Sequence, residues 1–239
     1  MRTEIKKYES GYVIFVENSC IGTVQFYDNP FHMQNCYLKI KLTYSDNKFS
    51  ARLFKELKRE AGRPLQVMIS SADVSLSEFL KAGGFVRKRK CYEVKATVND
   101  FIGHKTGMRL FSCQAGDYEY DIACKMMYDY YVLTHKPVNE CTADFQSFCR
   151  SLPAEAIFAE KKSAITSLAF IDKNEIAYVC GSDKSHFQSF ACNLVAKIFE
   201  KYGEVVFESD NCDWAATSLR KLFKNQSEAS IDTYVYTRE

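Results

Sequence analysis

A pattern of apolar and polar positions occurs twice along this chain, and the two copies lie about 140 residues apart. Each copy contains an apolar strand, an amphipathic helix, a second apolar strand, a short helix and a final alternating strand. The first copy runs over residues 37–96 and the second over residues 175–237. Two copies of one supersecondary unit predict a tandem fold.

In the first copy, the main helix is predicted to begin near the capping residues Asp46 and Asn47 and to end at Gly62. Ser75 and Glu78 have the spacing of a capping box, which predicts the start of the following short helix. The apolar residues of the main helix recur at helical spacing and are Phe49, Leu53, Phe54 and Leu57.

The second copy contains the clearest helical pattern of the chain, and Gly203 ends it. Its apolar positions follow at steps of three and four: Phe187, Phe190, Ala191, Leu194, Val195, Ile198, Phe199 and Tyr202. Residues 100–107 carry two glycines and no sustained periodicity, so they are interpreted as a connection. The predicted domains are residues 1–99 and 108–239, and only the second has a further pair of helices ahead of its copy of the pattern.

The composition narrows the classes of function. The chain has 32 lysines and arginines against 30 aspartates and glutamates, and a net charge of +2 does not favour nucleic acid or a membrane as a partner. Its ten cysteines include no CxxC pair and its four histidines are scattered, so no metal site is expected. No signal peptide and no apolar run of about 20 residues is recognised, which favours free thiols and a cytoplasmic location.

The order and spacing of the elements in both copies resembles the core of the GNAT N-acetyltransferase superfamily, and Gly84-Phe85 matches the dipeptide that ends its second helix. The resemblance implies an α/β (α+β) fold of two GNAT-like domains, each a mixed, mostly antiparallel central sheet flanked by helices. The first domain would be truncated and the second complete. It also implies an acetyl-coenzyme A (acetyl-CoA) dependent N-acetyltransferase that transfers acetyl directly to a primary amine, with the cofactor in the second domain.

In that superfamily the cofactor's pantetheine arm bonds the exposed backbone of a splayed strand, and its pyrophosphate lies at the N-terminus of the next helix. Residues 45–50 and 181–187 occupy this place in the two copies, and the second loop keeps a glycine, two serines and a lysine. An ordinary capped loop that binds no ligand is the alternative interpretation of either loop. The cofactor-binding residues that the resemblance implies are Tyr178, Val179, Gly181, Ser182, Lys184, Ser185, His186, Phe187 and Asp213.

Acetyl transfer needs an amine in its neutral form and, in many enzymes, an acid for the departing thiolate. Carboxylates near the splayed strands are the candidate bases, and a tyrosine of the final strand is the candidate acid. Leu80 and Arg220 stand where many GNAT members have the tyrosine that protonates the leaving thiolate. The predicted catalytic residues are Glu175, Glu208, Asp210 and Tyr234, for which strand-end solvation, helix capping or packing is the alternative.

Two other functions stay open at this stage. Phe187 and Ser189 stand where the superfamily loop has glycines, which favours a degenerate GNAT pair that binds acyl-CoA or a protein partner without turnover. Transfer of an aminoacyl or fatty acyl group is the third hypothesis. The expected partners of the enzyme are a small-molecule or peptide amine and a second copy of the chain in a homodimer.

Overall fold

The computed structural model describes residues 3–8, 11–43 and 47–237. Contacts between Cα atoms divide the chain into two compact units. Unit 1 consists of the chain up to Lys90, the segment Lys136–Thr142 and the chain from Ala229 onwards. Unit 2 consists of Cys91–His135 and Ala143–Glu228.

Unit 1 contains a mixed sheet with two helices, α1 (Asn47–Ala61) and α2 (Val74–Gly83). The strands follow one another across the sheet in the order β1-β2-β3-β4-β5-β12-β6. β4 and β5 form a parallel pair, whereas β1–β2, β2–β3, β3–β4 and β5–β12 are antiparallel pairs. The strand bounds are β1 Thr3–Tyr8, β2 Gly11–Val16, β3 Ser19–Tyr27, β4 Cys36–Leu42, β5 Leu65–Ser70, β6 Val86–Thr97 and β12 Ile231–Tyr236.

Both helices of unit 1 pack on one face of this sheet, because their apolar stripes match the inward positions of the strands. Leu53 and Phe54 of α1 are fully buried in a core that includes Leu38 of β4 and Val67 of β5. Glycine is required at position 83, since a Cβ atom there would lie 2.3 Å from the ring of Phe54. This close approach fixes α2 against α1.

Unit 2 repeats the arrangement with more helices: α3 Tyr118–His135, α4 Phe145–Cys149, α5 Lys184–Phe199 and α6 Trp214–Arg220. Its strands are β7 Phe111–Gln114, β8 Glu155–Lys161, β9 Ala164–Asp172, β10 Glu175–Gly181 and β11 Glu204–Asp210. They follow the order β6-β11-β10-β9-β8-β7, and β10 and β11 form the parallel pair. The predicted fold class, a mixed α/β fold with mostly antiparallel sheets, is confirmed.

The strand β12 belongs to unit 1 although it follows unit 2 in the sequence. It pairs antiparallel with β5 over six residues, from Ile231 opposite Ser70 to Tyr236 opposite Leu65. The sequence pattern places this strand with the second copy. Nothing in an alternating strand specifies which sheet it enters, so the pattern identifies the strand and not its partner.

In the sheet of unit 2, the second half of β6 is the strand next to β11. Residues 91–97 of β6 pair antiparallel with residues 204–210 of β11. The predicted connection at residues 100–107 also packs within unit 2, where the ring of Phe101 contacts those of Phe199 and Phe223. Apolar side chains in this stretch explain why it is a structured part of the unit.

The predicted start of α2 is wrong by two residues. Asp73 is the N-cap, and its carboxylate accepts a hydrogen bond from the backbone N–H of Leu76. A carboxylate caps a helix as well as a serine does, so Asp73 begins the helix before Ser75. The predicted cap Asp46 lies outside the described residues; α1 begins at Asn47 as expected.

Ending the chain after Glu228 removes β12 and is expected to unfold unit 1 selectively. Tyr234 and Tyr236 leave the core with the strand, a loss of several kcal/mol beside the roughly 5–15 kcal/mol that stabilises a domain. Hydrogen exchange should show loss of protection in α1 and β5, while fluorescence of the single tryptophan, Trp214, stays native in unit 2.

A chain that ends after Thr237 keeps β12 and serves as the control. Equal loss of protection in both units of the shorter chain would contradict the assignment of β12 to unit 1.

Candidate active site

The strands β4 and β5 of unit 1 separate and leave a cleft between them. Their recorded pairing extends from Cys36 opposite Leu65 to Leu38 opposite Val67. Beyond this point lies a cavity of 590 Å³. It is lined by Gln25, Phe26, Tyr27, Leu38, Lys39, Ile40, Val67, Met68 and Ile69.

The backbone of β4 presents hydrogen-bonding groups to this cleft. The N–H of Cys36 donates towards β5, to the carbonyl of Pro64, and the N–H of Thr43 donates towards β3, to the carbonyl of Ile21. Backbone groups of a strand alternate in direction, so the even-numbered residues of β4 point towards β5. The N–H and C=O groups of Ile40 and Leu42 therefore face the cleft.

A second cavity of 390 Å³ continues along β4 towards the helices. It is lined by residues 40–42 of the strand, by Thr43 directly after it, by the N-cap Asp73 and by Ser75 and Leu76 in the first turn of α2. The first turn of α1, which follows β4 in the chain, contains no acidic residue. The two cavities share Ile40 and together form an elongated groove along β4.

The charge of the chain is distributed unequally between the units. Unit 1 contains 18 lysines and arginines and 12 aspartates and glutamates, whereas unit 2 contains 14 and 18. The near-neutral total therefore conceals a basic unit 1 and an acidic unit 2. An anionic ligand is attracted to the first of these.

In unit 2, the equivalent strands β10 and β11 are recorded as paired at two positions, Glu175 with Val206 and Ile176 with Phe207. The pairing of β10 with β9 is irregular between Ile176 and Tyr178. The side chain of Tyr178 then contacts the ring of Phe148, and burial raises its pKa. The two strands are thus paired near the start of β10, and aromatic side chains pack beside Tyr178.

Backbone N–H groups at the start of α5 are hydrogen-bonded to a carboxylate of the preceding loop. Asp183 accepts hydrogen bonds from the backbone N–H groups of Ser185 and His186. Together with the Ser185 hydroxyl, these bonds lower the pKa of Asp183 to about 2. The N–H of Ser182 donates to Thr166, and that of Phe187 donates to the carbonyl of Asp183. Four N–H groups of the predicted phosphate loop are therefore used internally.

Side chains of the same loop also contact one another. A Cβ atom at Gly181 would lie 2.8 Å from the ring of Phe187, which is buried and packs against the ring of Trp214. The ammonium group of Lys184 lies 5.7 Å from the centre of that Trp214 ring. His186 shares a hydrogen bond of 2.8 Å with the hydroxyl of Thr166. Val179, the remaining predicted residue on β10, is buried in the core of unit 2.

Asp213 is the N-cap of α6 and not part of an open cleft. Its carboxylate accepts hydrogen bonds from the N–H groups of Ala215 and Ala216 and from the hydroxyl of Tyr130. Burial raises the pKa of Asp213, and burial beside this carboxylate raises the pKa of Tyr130. This pair links α3 to the start of α6.

The predicted catalytic residues are divided between the two units. Glu175, Glu208 and Asp210 lie in unit 2, and the carboxylate of Glu208 accepts a bond from the thiol of Cys91. Tyr234 lies in unit 1, buried opposite Val67, which lines the β4–β5 cleft. Its hydroxyl shares a hydrogen bond of 2.8 Å with Ser77 of α2.

Sequence reasoning did not identify Ser77, Ile40 or Leu42 as site residues. No residue type reveals them, since two of them contribute only backbone groups and the third depends on the position of β12. The excess of basic residues in unit 1 becomes visible only when charges are counted within the two units that the structure defines.

The comparisons with known proteins rest on structure. No protein-family model and no curated protein sequence matches the chain. A GCN5-related N-acetyltransferase from Sphaerobacter thermophilus is similar, with a TM-score of 0.54, 8% identity and coverage of 95% of this chain and 80% of that one. The GCN5-related N-acetyltransferase from Kribbella flavida gives a TM-score of 0.51 at 13% identity, with 98% and 90% covered.

The chain has the GNAT fold. A conserved protein of unknown function and probable N-acyltransferase from Enterococcus faecalis is also similar, with a TM-score of 0.50, 7% identity and coverage of 94% of this chain and 61% of that one. At these identities, the GNAT neighbours support the architecture and leave the substrate to be argued from the site.

Three further observations concern the residues that the structure describes. All ten cysteines are free. Over these residues, no group of three or more His, Cys, Asp or Glu side chains could hold a metal ion. None of the helices in the described ranges combines the length and the apolar character needed to cross a membrane.

The buried Asp213 predicts a dependence of stability on pH. Because its pKa is raised above the ordinary 3.8, the folded protein keeps this proton after the unfolded chain has lost it. The stabilisation is full below the unfolded pKa and is lost as the pH rises through the folded pKa. Relative to an Asp213→Asn variant, the free energy of unfolding of the wild type should fall as the pH rises from about 4 towards neutrality. Urea unfolding followed by Trp214 fluorescence measures this.

Asp144, the exposed N-cap of α4, provides a control of opposite sign. Hydrogen bonds from Ser147 lower its pKa, so the wild type should gain stability relative to Asp144→Asn as the pH rises towards the ordinary value of 3.8, below the range in which Asp213 acts. Parallel curves for the two variants would show that Asp213 is not desolvated.

Proposed function

We propose that this chain is an acetyl-CoA dependent N-acetyltransferase and that the reaction takes place in the β4–β5 cleft of unit 1. The observation that supports this proposal is the groove of two adjoining cavities along β4, into which the backbone groups of Ile40 and Leu42 point. The GNAT neighbours support acetyl transfer in general. The acceptor is a primary amine of a small molecule or peptide.

The groove fits the chemistry of the coenzyme. Its pantetheine arm carries two amides, which match backbone groups presented at alternate residues of a strand. Its phosphates match the excess of basic residues in unit 1, to which Lys41 beside the groove contributes. When bound there, the coenzyme would supply an acetyl group activated as a thioester.

Tyr234 and Ser77 are proposed to provide the acid of the reaction. Their hydroxyls are hydrogen-bonded to each other on the face of the sheet that packs against α2, one strand from the cleft. Tyr234 would supply through Ser77 the proton that the sulfur gains when the amine nitrogen replaces it on the acetyl carbon. The amine nitrogen gives up one proton as the amide forms, and return of a proton to the Tyr234 oxygen restores the hydroxyl, so charge and atoms balance over the reaction.

The sequence-based hypothesis puts the cofactor in unit 2 instead, at Tyr178, Val179, residues 181–187 and Asp213. The internal bonds of Asp183 argue against this location, because a carboxylate of the chain already satisfies the N–H groups that a phosphate would need. Unit 2 is then proposed to serve a structural role, with Glu175, Glu208 and Asp210 as strand-end residues. The predicted homodimer and cytoplasmic location remain predictions.

A non-catalytic GNAT protein is the second candidate. The loop of unit 2 supports this candidate, because Asp183 of the chain itself caps α5 where a phosphate would bind. Such a protein would still bind the coenzyme in unit 1, but it would not catalyse acetyl transfer.

Acetyl-CoA binding should be sensitive to charge in unit 1 and insensitive in unit 2. Lys41 is an exposed lysine near the end of β4, and Lys184 is an exposed lysine at the start of α5. Lys41→Glu and Lys184→Glu therefore make the same change of charge in the two units and form a matched pair. We expect Lys41→Glu to raise the dissociation constant about tenfold or more, because it repels the phosphates, and Lys184→Glu to leave it unchanged. Isothermal titration calorimetry measures both.

The reverse result, with the loss in Lys184→Glu, would place the cofactor in unit 2 as the sequence-based hypothesis does. An undetectable affinity of the wild type would reject the acetyltransferase.

Removal of the Tyr234 hydroxyl should reduce turnover more than stability. For Tyr234→Phe we expect kcat to fall about a hundredfold, the lower end of the range for loss of an acid, at a cost of about 1 kcal/mol in stability. Tyr236→Phe is the matched control, since Tyr236 lies two residues along the same strand and on the same face. Release of the coenzyme thiol, followed with a thiol reagent, gives kcat for each protein; equal rates for both variants would exclude Tyr234 as the acid.

A further inference from the structure

The sheet of unit 1 has a second face, opposite α1 and α2, and part of this face is exposed to solvent. Side chains alternate between the faces, so the odd-numbered residues of β3, β4 and β12 and the even-numbered residues of β5 share it. We call the exposed part of this surface the open face. It consists of Thr23, Gln25, Tyr27, Lys39, Lys41, Met68, Ser70 and Ile231.

The part of the same face around Tyr37 is covered by the segment Lys136–Thr142. Asn139 is buried and donates hydrogen bonds to the hydroxyl of Tyr37 on β4 and to the carbonyl of His32. The hydroxyl of Thr142 accepts a bond from the N–H of Met33. The segment forms a fixed wall, and the open face begins beside it.

The open face adjoins the β4–β5 cleft. Lys39 and Met68 line the 590 Å³ cavity and also belong to the open face, one on each strand of the splay. Met68 is 39% exposed, so the cleft is accessible from this side. An acceptor can reach the cleft here without passing the helices α1 and α2.

The charge on the open face is unbalanced. Among the described residues of β3, β4, β5 and β12, those on this face include the ammonium groups of Lys39 and Lys41 and no carboxylate. Other cations of unit 1 have partners, such as Arg52 with Glu56, Arg63 with Asp28 and Arg87 with Asp232. In contrast, Lys39 forms no ion pair with any described residue, so its charge is available to a ligand.

We propose that the acceptor is a small amine that carries its own anionic group, a carboxylate or a phosphate, and that Lys39 binds this group on the open face. The proposal rests on the proposed function, which places the acetyl group in the adjoining cleft. Lys39 is suited to the role because it stands where β4 leaves β5, within one side-chain length of the cleft. A cation there binds the anion while the amine points into the cleft.

Matched acceptors test the proposal. Glycine is compared with glycinamide, and O-phosphoethanolamine with ethanolamine, in wild type, Lys39→Gln and Lys55→Gln. Lys55 is an exposed lysine of α1 outside the open face and serves as the control. We expect the wild type to have the lower KM for the anionic member of at least one pair, which also identifies the group. Lys39→Gln should reduce the preference for that anionic amine over its neutral partner, measured as the ratio of their KM values, about tenfold, whereas Lys55→Gln should keep the wild-type ratio.

A second measurement does not depend on turnover. The labelled methyl group of Met68 should shift in NMR spectra on addition of the anionic amine, with an apparent Kd that Lys39→Gln raises and Lys55→Gln does not. If this shift is selective but no acetyl transfer occurs, the acceptor site stands and the proposed function fails. If neutral amines bind or react as well as anionic ones, or Lys39→Gln affects both equally, the proposal is overturned while acetyl transfer can stand.

Discussion

The pairing of β12 with β5 is the interaction on which unit 1 depends. The strand β5 is recorded as paired with β4 at only three positions, whereas it pairs with β12 along all six residues of β12. A strand held along one edge can separate from its neighbour on the other edge without losing its place in the sheet. The cleft therefore exists because β12 holds β5. The same strand brings Tyr234 against α2 and Asp232 into an ion pair with Arg87.

Each unit satisfies the start of a helix with a carboxylate of its own chain. The first N–H groups of any helix lack partners within the helix and need an acceptor. In unit 2, Asp183 is that acceptor for α5, and Lys161 balances its charge. In unit 1, Asp73 is the acceptor for α2, where its carboxylate accepts a hydrogen bond from the N–H of Leu76. A carboxylate of the chain thus occupies a helix start in each copy of the fold.

Much of the fold could be predicted because periodicity depends on local chemistry. The stripe of Leu53, Phe54 and Leu57 identifies α1, and the steps from Phe187 to Ile198 identify α5. The site could be predicted less well, for two physical reasons. The partner of a strand is a long-range choice, so Tyr234 appeared to belong with Glu208 and Asp210. A loop's ability to bind phosphate depends on whether its N–H groups are free, and the sequence shows Asp183 without showing which way its carboxylate points.

The position of β12 also affects the order in which the chain can fold during synthesis. Ser230 hydrogen-bonds to Ser71 across 159 residues of sequence, and all of unit 2 lies within that interval. The residues of unit 2 therefore leave the ribosome before β12 does, and unit 2 can form its sheet first. Until β12 arrives, β5 has an unpaired edge that other chains can pair with, and closing so long a loop is slow. The strand that opens the cleft in the finished protein thus leaves the nascent protein exposed to aggregation, and unit 2 acts as the spacer that sets the length of that delay.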